Sequence, residues 1–196
     1  MTTEDIPLFP LNTVLFPGGP LPLRIFETRY VDMVKDCLRR ERAFGVLLIR
    51  EGNEVGGAAA TEALGTLARI VDFNLLEDGL LGITGRGESR FRVLEKWRQP
   101  DGLNRGCIEC LPATPAQAVP RRYRHLAALL KRVLPELGEV YADIPQDFEE
   151  AGWVSCRLAE ILPLDMPAKQ RMLELDDPLE RLAAIEPLLE RNVSAD

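Results

Sequence analysis

The stretch that decides the fold is Ile6 to Leu38, IPLFPLNTVLFPGGPLPLRIFETRYVDMVKDCL, two proline-punctuated apolar runs followed directly by an amphipathic segment. Ile6–Phe9 and Val14–Phe16 read as strand pieces, and Pro17-Gly18-Gly19-Pro20 reads as a turn leading into Leu21–Phe26. At Glu27 the period changes. Tyr30, Met33, Val34, Cys37 and Leu38 recur every three or four residues, which places them on one face of a helix. Arg29, Asp32, Lys35, Asp36, Arg39 and Arg40 then read as its wet outer side.

Beyond this helix the period is two. Phe44–Ile49 is a continuous apolar run, the pattern of a strand buried on both faces. Glu51 to Ala63 is rich in Gly and Ala and reads as a mobile loop. Gly65–Val71, Leu80–Thr84, Ser89–Trp97 and Gly106–Leu111 are further strands, with turns at Glu77-Asp78-Gly79 and Asp101-Gly102. The count is six or seven strands and one early helix.

Leu111–Pro120 carries three prolines and marks a boundary. After it the pattern is helical. Leu126, Leu129, Leu130, Val133, Leu134 and Leu137 form an apolar stripe; Asp147-Phe-Glu-Glu150 has the form of a capping box opening a helix that Pro163 ends. Asp165 caps a third helix bearing Met172 and Leu173. Asp177-Pro178-Leu179-Glu180 opens a fourth, with Leu182, Ile185 and Leu189 facing inward.

PLFPLNTVLFPGG, then PLRIFE and RY, then FGVLLI, GTLARI, DG and GESRFRV, form a long ordered string that resembles the N-terminal, substrate-binding domain of Lon proteases. MPAKQRMLELDDPLERLAAIEPLL resembles the helical part that closes such domains, so the likeness covers nearly the whole chain. It implies an α+β fold: a PUA-like β pseudo-barrel over residues 1–115 packed with an all-α bundle over 116–196. It also implies a non-enzymatic module that binds unfolded or tagged polypeptide, in partnership with an ATPase or protease. The Pro/Gly loop at Leu15–Leu21 and the junction of the two parts are the expected places for binding, with no contact residue assigned. An RNA- or small-ligand-binding PUA-like protein is the alternative, and a cysteine-based metal or redox protein comes behind it.

The chemistry-bearing residues favour the binding reading. There is no GxxxxGK[ST] string to cradle phosphates, and Gly82-Ile-Thr-Gly85-Arg-Gly87 has the wrong order for a dinucleotide fingerprint. The single histidine, His125, lies in the basic run Arg121–Arg124 and reads as solvated. Cys107 and Cys110 have zinc and redox spacing, but on a strand residues three apart point to opposite faces. Glu149-Glu150 and Asp176-Asp177 are adjacent, so they diverge or act as caps. No catalytic, cofactor-binding or metal-ligating residue is assigned, and no cofactor is expected.

The net charge of −7 argues against nucleic acid as a partner. Residues 1–112 hold 14 basic against 16 acidic residues; the remainder hold 10 against 15, an acidic surface that suits a basic partner or simply solvent. No apolar run is long enough for a membrane span, and MTTEDIP is acidic where a signal peptide is basic. Four cysteines in such a chain are expected to stay reduced in the cytoplasm.

Overall fold

The computed structural model describes residues 3–52, 54, 60–142 and 144–193. The chain divides into two compact units, residues 1–113 and 114–196. The first contains β1 (Thr3–Leu11), β2 (Pro20–Ile25), α1 (Thr28–Arg40), β3 (Phe44–Glu51), β4 (Ala60–Thr61), β5 (Leu64–Leu75), β6 (Leu81–Arg98) and β7 (Asn104–Cys110). Its described residues thus hold seven strands and one helix, in the α+β arrangement that the patterning predicts. Six residues of the expected Gly/Ala loop, 53 and 55–59, lie outside the described residues, and Ala60–Thr61 of it form β4 rather than loop.

The strands close on themselves. β1 pairs with β7, β7 with β6, β6 with β5, β5 with β3, and β3 returns parallel to β1. This ring is the pseudo-barrel, and β2 is added to β6 outside it. β1 changes partner midway: Thr3–Leu8 pair with β7, and Leu8–Leu11 pair with β3. That handover explains how prolines survive in a central strand. Pro7 pairs only with Arg105 and Pro10 only with Leu47, so each has one side on which no ladder bond is required.

Two apolar layers result. Ile6, Leu8, Leu47, Leu67, Phe91 and Ile108 fill the barrel interior. Glycines make room for the largest of them: a Cβ on Gly45 would lie 2.6 Å from Phe91 Cζ, and one on Gly65 would lie 2.1 Å from the Val46 carbonyl oxygen. The alternate residues Phe9, Leu11, Phe44 and Val46 face outward under α1, where they meet Tyr30, Met33, Val34 and Cys37. Phe9 stacks on Tyr30 with ring centroids 3.8 Å apart. Phe44–Ile49 is accordingly buried on both faces.

Four local expectations are corrected. Val14–Phe16 is not a strand; it is buried loop, held because Thr66 Oγ1 donates to Leu15 O (2.6 Å). Leu80–Thr84 and Ser89–Trp97 belong to a single strand, since Gly85 and Gly87 run through the ladder rather than interrupt it. Leu38 is 37% exposed, because Cys37 already ends the buried stripe as the helix closes. Arg29 is 8% exposed instead of solvated. Its guanidinium donates to Gly102 O (2.8 Å), pairs with Glu27 (2.8 Å) and lies 4.7 Å over the Tyr30 ring. Periodicity alone cannot place a long side chain that bends back over its own helix.

The second unit contains α2 (Arg124–Val133), α3 (Ala151–Ile161), α4 (Met166–Glu174) and α5 (Pro178–Val193), with short 3₁₀ turns before and after α2. α3 packs against each of the other three helices. Leu126, Leu130 and Leu134 are buried as the stripe predicts, while Leu137 lies in the 3₁₀ turn and is exposed. The cap of α3 is Glu150, not the expected Asp147. Its carboxylate accepts from Gly152 N (2.8 Å) and Trp153 N (2.5 Å), because Glu150 itself is extended and the helix begins only at Ala151. Asp165 and Asp177 cap as expected, accepting from Ala168 N (2.7 Å) and Leu179 N (2.8 Å). Leu182 and Ile185 are fully buried and Leu189 partly so.

Candidate polypeptide-binding site

The residue clusters with apparent chemistry resolve into packing and capping. Gly82, Gly85 and Gly87 lie inside β6, where a Cβ on Gly87 would meet the Phe16 carbonyl oxygen at 2.2 Å. Gly18 N donates to Gly87 O and Gly87 N to Gly19 O, both at 2.8 Å, so the Pro/Gly loop is clasped to β6. Leu15, Phe16 and Leu21 are buried there, and the loop offers no large apolar side chain to solvent. His125 is exposed, its Nδ1 2.9 Å from Arg122 O and its Nε2 3.4 Å from Glu186. Arg121, Arg122 and Arg124 are exposed around the buried Tyr123.

Cys107 and Cys110 lie on β7, pairing with Glu95 and Phe91 respectively. Cys110 packs beside the barrel interior, and Cys107, an odd number of residues away, faces the other side. Cys37 is buried on the inner face of α1, and that burial pushes its thiol up to about 11. Among the described residues no three His, Cys, Asp or Glu side chains gather as metal ligands. A thiol reagent at pH 8 is therefore expected to modify Cys107 quickly and Cys110 slowly, because burial also raises the Cys110 thiol. Cys37 and Cys156 should react only after unfolding; a disulfide formed between Cys107 and Cys110 under mild oxidant would contradict this placement.

A cleft of about 170 Å³ lies between Arg29, Asp32 and Asp36 of α1 and Gln99, Leu103 and Arg105. It is smaller than the roughly 300 Å³ at which small-molecule pockets begin, and its charges are of both signs.

The open apolar surface is elsewhere. On β2, β6 and β5 one face carries the cross-strand rows Leu23–Ile83–Phe73 and Ile25–Leu81–Leu75. α1 covers the β2 and β6 end of these rows, burying Ile25 and Ile83. α1 also meets β5, where Ala68 and Ile70 join the same cluster, but further along the strand Phe73 is 58% and Leu75 76% exposed. Val71, exposed as well, lies at the bulge where the β5–β6 register shifts between Ile70 and Asp72. Sequence reasoning passed over these residues because it ended the strand at Val71, although Val71, Phe73 and Leu75 alternate with Asp72 and Asn74 as a half-wet strand does.

The comparisons with known proteins agree with this architecture. The family model of the ATP-dependent protease La (LON) substrate-binding domain matches residues 5–191. Lon protease 2 of Myxococcus xanthus is 28% identical over 96% of the chain, which covers 24% of that protein. The chain thus spans about a quarter of the length of the curated relatives it matches. The crystal structure of a Lon N-terminal domain protein from Xanthomonas campestris is 37% identical with a TM-score of 0.77, over 95% of this chain and 98% of that one. The N-terminal domain of a Mycobacterium avium complex Lon protease has a TM-score of 0.62 at 18% identity, over 93% and 96% of the two chains, which shows the fold alone. With a 37% identical structure matched end to end and the family model covering residues 5–191, the chain belongs to the Lon protease substrate-binding domain family.

Proposed function

We propose that this protein binds unfolded or tagged polypeptide without catalysing a reaction on it, through the apolar ridge of Phe73 and Leu75 with Val71 at the bulge beside it. The observation that carries the reading is the exposure of Phe73 and Leu75 at the end of rows that are buried elsewhere, with exposed Val71 at the bulge beside them. Exposed apolar surface of this kind marks an interaction site, since water leaves it at a gain when a partner's apolar side chain arrives. Membership of a substrate-binding domain family supports the same reading.

Several finer features belong to the proposal. The β-rich residues 1–115 and the helical residues 116–196 act as subdomains of one Lon N-terminal-type domain. The acidic helical half docks on a basic surface of an ATPase or protease, so partner binding weakens as salt screens exposed charges beyond about 8 Å. The four free cysteines suit a reducing, cytoplasmic setting. Among the described residues no helix is long and apolar enough to cross a membrane.

The test is fluorescence anisotropy of a labelled, permanently unfolded protein titrated with this chain. Binding is expected with Kd on the order of 10 μM, the scale of a weak recognition module. Replacing Phe73 and Leu75 together by Ser should weaken it about tenfold, from the apolar area no longer buried, while the far-UV spectrum and Tm stay unchanged. No binding by the parent chain at tens of micromolar would remove the reading.

A further inference from the structure

Past Ala68, β5 pairs with β6 alone among the described residues. Its pairing with β3 covers Thr66–Ala68, whereas its pairing with β6 continues to Leu75. The hydrogen-bond phase of the hairpin decides what the open side presents. Leu76 N donates to Leu80 O (2.8 Å), so the N–H and C=O groups that turn toward β6 belong to every second residue back from Leu76: Asn74, opposite Gly82, and Asp72, opposite Thr84. The N–H and C=O of Phe73 and Leu75 turn outward. The residues whose side chains form the apolar ridge therefore also present strand-pairing donors and acceptors at the open edge.

Asp72 on the other face of the same edge, and Glu77 and Asp78 in the turn that follows it, make the surroundings acidic. Asp72, Glu77 and Asp78 are exposed; Asp78 is paired with Arg24, and neither Asp72 nor Glu77 forms an ion pair with a described residue. Two copies pairing edge to edge would gather the acidic residues of both on one face, which disfavours a second copy as the occupant. A chain carrying Lys or Arg at alternate positions would answer those carboxylates and direct its apolar residues at Phe73 and Leu75.

Building on the polypeptide-binding reading above, we propose that the open edge of β5 at Val71–Leu75 takes up the bound chain as an added β-strand, selecting extended segments in which apolar residues alternate with Lys or Arg. Backbone pairing supplies affinity for any extended chain, and the two faces of the edge supply the preference. Short edge length keeps the complex weak and reversible, and proline in the segment blocks it.

The test uses the full chain and three labelled peptides: one alternating Val or Phe with Lys, and two derivatives of it N-methylated at one or the other set of alternate residues. In an added strand only one set of N–H groups faces β5. One derivative is expected to bind about tenfold more weakly, from two lost hydrogen bonds, and the other within about twofold of the parent peptide. Replacing Asp72 with Asn and Glu77 with Gln should cost the Lys peptide about threefold and flatten its salt dependence. Equal binding of both N-methylated peptides would overturn strand addition and leave apolar polypeptide binding in place. Binding of unfolded protein but not of the parent peptide would do the same. Failure of all of them to bind removes the underlying reading as well. Concentration-dependent dimerisation that is lost on Phe73→Glu would assign the edge to a second copy and overturn the proposal.

Discussion

Arg157→Ala is expected to lower the stability of the folded chain by about 3–5 kcal/mol, the cost of leaving one partner of a buried ion pair behind. Arg157 is 0% exposed on α3, and its guanidinium lies 2.9 Å from the Glu160 carboxylate one turn along. Tyr141 donates to the same carboxylate (2.6 Å), and Lys169 donates to the Glu160 backbone carbonyl (2.5 Å). Burial pushes the Glu160 carboxyl above the usual carboxylate range, and Arg157 is the principal group pulling it back. Without Arg157 the rise is larger. A carboxyl whose folded pKa is raised holds its proton more tightly in the fold than in the unfolded chain, so its contribution is present at low pH and is lost as pH rises. The deficit of Arg157→Ala should accordingly be greater at pH 8 than at pH 5. Urea unfolding at both values measures it, and a thermal midpoint lower by about 10 °C or more is the expected companion. The double variant Arg157→Met, Glu160→Met should recover much of the loss, because no charge is then left buried alone. A single variant as stable as the parent chain would show that the pair carries no such burden.

Gly65→Ala should cost about 2–3 kcal/mol, for a reason confined to the barrel. The added Cβ would lie 2.1 Å from the Val46 carbonyl oxygen and 2.7 Å from Leu47 Cδ2. Leu47 can turn; the carbonyl belongs to the β3 backbone and can move only if the β3–β5 ladder opens. Gly85→Ala, twenty residues on, is the control. Its Cβ would find Ala68 Cβ, Leu21 Cβ and Leu21 O all at 3.6 Å, ordinary contact. That variant should be neutral or slightly stabilising, since alanine narrows the unfolded ensemble. Equal midpoints for the two variants in denaturant would refute the account of why Gly65 is glycine.

How far the sequence reached follows from what each signal depends on. Local period is a property of a few consecutive residues, so the change at Glu27, the buried run Phe44–Ile49 and the caps at Asp165 and Asp177 were legible. Register is a relation between distant segments and leaves no local trace. For that reason the strand limits around Gly82–Gly87 were misread, and so was the state of Val14–Phe16, which Thr66 holds from fifty-one residues away. Arg29 was misplaced because its partner, the Gly102 carbonyl, is seventy-three residues distant. The apolar ridge fell between these cases. Its alternation was present in the letters, but its exposure depends on where β3 stops pairing with β5 and where the cover of α1 ends.

The change of partner within β1 bears on how the chain reaches its fold. Thr3–Leu8 find their ladder in residues 104–109, about a hundred positions along, so the ring cannot close during synthesis until that segment has left the ribosome. Until then the first strand has only β3 to pair with, through four residues, and its β7-facing edge stays bare. Such a long-range closure makes for slow folding relative to a bundle of comparable size, and for a nascent chain whose exposed edge calls for shielding during the wait.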